Sequence, residues 1–115
     1  MLENWLNQMN QPQDLFETIL EDLSQLESHV QEGNMMRSPG MKYKDKVFAF
    51  FYKEAMGFRL GPNFDPKSSG IENAKPLSPF KTKPPLKGWF IIDASERDRW
   101  AELSSKALEF TKTIN

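Results

Sequence analysis

Cysteine is absent from the 115 residues and histidine occurs once, as His29. No thiolate nucleophile, disulfide, Cys-ligated zinc or iron–sulfur cluster can form. Every scheme needing two imidazoles is removed, and none of the serines stands in a nucleophile-elbow pattern, so triad hydrolysis is not expected. No apolar run approaches the roughly 18–20 residues of a membrane span, so no membrane partner is expected. Met1 to Asn10 carry Glu3 and no basic residue, unlike a secretory leader, which makes a cytoplasmic location the expectation. The six glycines include Gly57, Gly61 and Gly70, but not at the spacing that presents backbone amides to phosphates. Lys67-Ser68-Ser69-Gly70 does not supply it either. Nucleotide cofactors of the P-loop or Rossmann kind are thereby excluded, and no cofactor is expected.

What is present suits one globular domain spanning 1–115, with 38% hydrophobic and 27% charged residues. The net charge of −1 conceals a segregation. Residues 1–35 hold seven acids and no Lys or Arg, whereas residues 36–90 hold eleven bases against four acids. Such asymmetry fits an anion-binding surface, or an acidic helix beside a basic sheet within one fold.

Leu2, Trp5, Leu6 and Met9 recur at helical spacing, which predicts an extra short N-terminal helix over 1–11. From Pro12, the residues Leu15, Phe16, Ile19, Leu20, Leu23, Leu26 and Val30 mark one face of an amphipathic helix, with Glu17, Glu21 and Gln25 opposite. Gly33 and Asn34 are expected to end it. Met41–Lys44 reads as a short strand, Lys44-Asp45 as a tight turn and Lys46–Tyr52 as a strand. That strand is apolar on both faces, Val47, Ala49 and Phe51 on one, Phe48, Phe50 and Tyr52 on the other. It is therefore central and covered twice, or one face meets a partner. A turn near Glu54-Ala55 leads to a strand over 57–61. Six of the eight prolines fall between Pro62 and Pro85. Asp65-Pro66 predicts a brief helix ending at Gly70, and Leu77–Phe80 an edge strand interrupted by Pro79. Lys87–Asp93 is a strand, and Asp93 with Glu96 forms a capping box for a final helix carrying Trp100, Leu103, Ala107, Phe110 and Ile114. The fold class expected is α+β, two layers, an antiparallel sheet covered by N- and C-terminal helices in the order α-β-β-β-(α)-β-β-α.

No catalytic constellation emerges. Asp14, Glu17 and Glu21 share a helix face, but a solvated acidic face has the same pattern, and no metal site is assigned. Arg37, Lys42, Lys44, Lys46, Lys81, Lys83 and Lys87 form the candidate anion or nucleic-acid surface, with Trp89 and Phe80 nearby. Lysines that guard a sheet edge against pairing are the alternative. Phe48, Phe50 and Tyr52 form the candidate surface for a protein partner or a second copy of the chain. A small-ligand or enzyme pocket between the sheet and the Pro-rich segment is a further expectation.

Leu86-Lys87-Gly88-Trp89-Phe90-Ile91-Ile92-Asp93 resembles the Met-Lys-Gly-Trp-Val strand of the TfoX N-terminal domain family. Trp100 with Ala107-Leu108-Glu109-Phe110 is similar to that family's last helix, and the likeness spans residues 12–114. It implies helices over an antiparallel sheet, kinship with regulators of bacterial competence, and no catalytic residues. Lys87, Gly88 and Trp89 would then be structural. The additional C-terminal helical domain of longer members is expected to be absent. Met36-Arg37-Ser38-Pro39-Gly40-Met41 stands where the family has a Met-Phe-Gly-Gly turn.

Overall fold

Short connections between apolar segments leave antiparallel pairing as the accessible geometry, and the sheet is built that way throughout. The computed structural model describes residues 11–78 and 85–114. Helix α1 (Pro12–Leu26) is followed by strands β1 (Val30–Met35), β2 (Ser38–Tyr43), β3 (Lys46–Tyr52), β4 (Ala55–Arg59), β5 (Ala74–Leu77) and β6 (Leu86–Asp93). A 3₁₀ segment (Ala94–Arg99) then leads into helix α2 (Trp100–Thr113). All pairs are antiparallel, in the spatial order β1-β2-β3-β4-β6-β5. The protein is thus α+β, a sheet flanked in sequence by an N-terminal and a C-terminal helix. The short N-terminal helix expected over 1–11 lies outside the described residues.

Both helices pack on one face of the sheet. Phe16, Ile19 and Leu23 of α1 and Trp100, Leu103, Ala107 and Leu108 of α2 bury against Met41, Phe48, Ala49, Met56, Phe58 and Ile92. The Trp100 indole donates from Nε1 to the carbonyl of Ile92 at 3.1 Å, which satisfies the one polar atom of a fully buried ring. Lys112 of α2 bridges Glu27 at 2.8 Å and Glu109 at 3.1 Å, tying the C-terminal ends of the two helices together. The hydrogen bond from Lys112 holds the Glu27 carboxyl below the usual carboxylate range, and Glu27 and Glu109 raise the Lys112 ammonium above its ordinary value.

The first helix ends earlier than its apolar spacing suggests. Leu26 is 83% exposed, Glu27 is already extended, and Val30 is buried as the first residue of β1. Gly33 and Asn34 therefore lie within a strand, opposite Gly40 and Pro39, and do not cap a helix. Leu26 and Val30 continue the helical period by coincidence, and pairing with β2 decides the outcome. His29 consequently sits in the turn after α1, edge-on to the Tyr43 ring at 5.9 Å. Asp65-Pro66 begins a succession of turns, not a helix, with the Asp65 carboxylate accepting from the Lys67 amide at 3.1 Å. Asp93 does cap, accepting from the Ser95 amide at 3.0 Å. Glu96 does not complete a capping box. Its carboxylate accepts from the Glu72 and Asn73 amides at 3.3 and 2.9 Å, pinning the loop before β5.

Candidate functional site

The sheet's other face carries no described helix, and its side chains follow from register. Met41 and Lys42 stand opposite Ala49 and Val47, so Phe48 is the extra residue of a bulge. Phe48 and Ala49 both turn toward the helices, with Phe51 beside them. Val47 and Phe50 turn to the open face, where Met35, Leu77, Trp89 and Ile91 join them. Unbroken alternation would have placed Phe48, Phe50 and Tyr52 together. The bulge separates them: Phe48 is fully buried beneath the helices, Phe50 is 3% exposed and Tyr52 is 45% exposed.

Phe50 lies flat across its cross-strand partner Gly57. A Cβ at Gly57 would stand 2.2 Å from Phe50 Cε1, so only glycine permits this packing. The ring continues to Trp89, with centroids 5.7 Å apart and planes inclined by 45°. Beside this floor a groove of about 580 Å³ opens between Phe50, Tyr52, Gly57, Ile91, Pro76 and Leu77. Ser38 and Ser78 add hydroxyls, and among the described residues Lys53 is its one charged lining residue. Lys53 Nζ stands 5.2 Å over the Tyr52 ring. The groove adjoins the described end of the Pro-rich segment, where a pocket was expected.

Two hairpin turns form the rim. Met36-Arg37 joins β1 to β2 and Lys53-Glu54 joins β3 to β4, each a two-residue loop with both φ values positive: 50° and 74°, then 48° and 65°. Such loops match the twist of a hairpin and ordinarily use Asn-Gly. Here all four residues carry longer side chains. The turn lies at Lys53-Glu54, one residue before the Glu54-Ala55 position that composition indicated, and β4 correspondingly starts at Ala55.

Of the seven candidate anion-binding residues, the five described ones do not converge. Arg37 is in the β1–β2 turn. Lys42 lies on the open face, its stem 3.2 Å from where a Gly33 Cβ would be. Lys44 occupies the turn at the opposite end of the sheet, with Nζ 5.5 Å over Tyr43. Lys46 pairs with Tyr43 on the helix-side face. Lys87 is exposed near the start of β6, and Lys81 and Lys83 lie outside the described residues. Register adds two cations that sequence reasoning did not select, Arg59 opposite Trp89 and Lys75 opposite Ile91. Their alternation with apolar residues was visible, but not which face stays uncovered.

Gly88 has φ +82°, and its carbonyl accepts from both the Leu60 and Gly61 amides, at 2.8 and 3.1 Å. A Cβ there would stand 2.9 Å from the Gly61 carbonyl carbon. Gly88 thus serves the join between β4 and β6, and Trp89 fills the open-face cluster. Asp14, Glu17 and Glu21 stay on α1, and among the described residues no three His, Asp or Glu side chains gather as metal ligands. No described helix is long and apolar enough to cross a membrane. Comparison with protein-family models, with curated proteins and with solved structures finds no match.

Proposed function

We propose that this chain is a non-catalytic binding domain of the TfoX N-terminal type, working in the cytoplasm in a regulatory role by engaging a protein partner through the open sheet face. One observation carries the reading: a groove with an apolar floor, on a face without a described helix, rimmed by exposed Met36, Tyr52 and Lys53. Exposed apolar patches with a polar rim characterise interaction sites. The family part of the reading rests on the sequence likeness of Leu86–Asp93 and of the last helix. A small ligand in the same groove is a second reading, favoured by a volume within the roughly 300–1,000 Å³ of small-molecule sites.

A photo-crosslinking aromatic in place of Tyr52, with Glu17 on α1 replaced in the same way as control, separates the readings in the cell. Adducts with a discrete protein from position 52 and none from position 17 are expected. Protein adducts from position 17 alone would reject the open face. A small-molecule adduct at 52 would favour the second reading.

A further inference from the structure

We infer that the segment received by the open face is acidic and carries one large apolar side chain, which enters the groove while its carboxylates meet Lys53, Arg37 and Lys75. This rests on the reading of the open face as the partner surface and adds the partner's chemistry. The groove is floored by Phe50, Ile91 and Leu77, and among the described residues its single charged lining residue is a cation. Across the rest of the face, register adds Lys42, Arg59 and Lys75. Among the described residues none of these cations forms an ion pair. Asp93 is, among the described residues, the one strand carboxylate that register places on this face, where it accepts from Ser95, and Glu54 of the rim turn is not among the side chains lining the groove. The potential is therefore positive around an apolar slot, and an acidic segment with an apolar anchor complements both.

The same charges argue against a second copy docking face to face, which would oppose Lys42, Arg59 and Lys75 with themselves. A nucleic acid would meet the same charges but little to stack on: the one exposed ring among the described groove residues, Tyr52, already has Lys53 Nζ 5.2 Å over it. Phe50 and Trp89 are only 3% and 7% exposed and offer no free ring for a base to stack on. A separate observation points to the same place. Of the described non-glycine residues with left-handed backbone, Lys44 lies in the turn at the other end and the remaining four fill both positions of the two rim turns, where Asn-Gly would be unstrained. Strain held beside a groove is what a binding surface shows when the side chains themselves are needed.

The test is a titration of the isotope-labelled full chain, followed by amide shifts, with a short glutamate-rich peptide bearing one central phenylalanine. Matched probes carry lysine for glutamate, or serine for phenylalanine, and oligothymidine is a third comparison. Expected are shifts at Met36, Tyr52, Gly57 and Ile91, an affinity that falls with salt, and a loss of about tenfold or more in Lys53→Glu. Replacing both turns (Met36→Asn, Arg37→Gly, Lys53→Asn, Glu54→Gly) should weaken binding as much while raising the unfolding midpoint, so the loss is not misfolding. Tighter binding of the lysine peptide or of oligothymidine at these amides would overturn the acidic partner and leave the open-face reading standing. Open-face shifts that grow with protein concentration alone would overturn it in favour of a second copy. Shifts confined to the helix face, or absent with every probe, would overturn both.

Discussion

Replacing Gly57 with alanine should destabilise the protein, opposite in sign to the usual effect of that substitution in a strand. Glycine in a strand interior ordinarily costs about 0.5–1 kcal/mol relative to alanine, so the change should help. Gly57 does not have the positive φ that would forbid a side chain, since the glycines with positive φ are Gly61, Gly70 and Gly88. The obstacle is steric. The new methyl would lie 2.2 Å from Cε1 and 2.4 Å from Cζ of Phe50. Phe50 must then rotate away, losing its packing on Trp89 and exposing a ring that is now 3% accessible. Overpacking of this kind costs about 1–3 kcal/mol, and subtracting the backbone gain leaves a net loss of about 1–2 kcal/mol. At this chain length that lowers the unfolding midpoint by about 4–8 °C. Thermal and urea unfolding followed by tryptophan fluorescence would measure it. Introducing Phe50→Leu first should make Gly57→Ala neutral or stabilising, a coupling of about 1–3 kcal/mol. An alanine variant as stable as the parent, with additive effects in the double variant, would refute the packing argument.

Thr111 is fully buried and its hydroxyl has no hydrogen-bond partner among the described residues, so Thr111→Val, which keeps the shape, should stabilise by about 1 kcal/mol in urea unfolding. A loss of stability there would mean that the hydroxyl is satisfied. Trp100→Phe should cost about 2–4 kcal/mol by the same assay, since it leaves a cavity at a fully buried site and removes the Nε1 hydrogen bond to the Ile92 carbonyl. The Glu27–Lys112 pair predicts a pH dependence with a definite sign. Because Glu27's pKa is depressed on folding, its contribution is present above its unfolded value and is lost as pH falls through the folded one. Lys112, raised on folding, contributes below its unfolded value and loses that contribution only as strongly alkaline pH passes the folded one. Lys112→Met should therefore flatten the acid limb of a stability–pH curve and return the Glu27 carboxyl, followed by NMR, toward the ordinary carboxylate range.

Much of the architecture was legible in local pattern. Lys46–Tyr52 coincides with β3, the strand from Lys87 to Asp93 lies within one residue of β6, and the buried face of α2 follows Trp100, Leu103 and Ala107. These segments agree at every level, with β-branched and aromatic runs in strands and a helical period in α2. The reading failed where two patterns overlapped. Val30 sits four residues after Leu26, yet belongs to a strand whose pairing with β2 is non-local. Phe48 sits two residues before Phe50, yet a bulge turns it to the opposite face.

Composition, spacing and the absence of thiols by themselves determined an α+β chain with an acidic first helix and a basic, aromatic middle, and they removed cysteine and paired-histidine chemistry. Periodicity reports how each segment distributes its apolar side chains, and that is a local property. The tertiary structure alone decided which sheet face the helices cover, because this depends on register, on one bulged residue and on both helices packing on the same side. It also decided that Met36 and Lys53, distant in sequence, border one groove, since hairpin turns meet at the same end of a sheet only after the strands have paired.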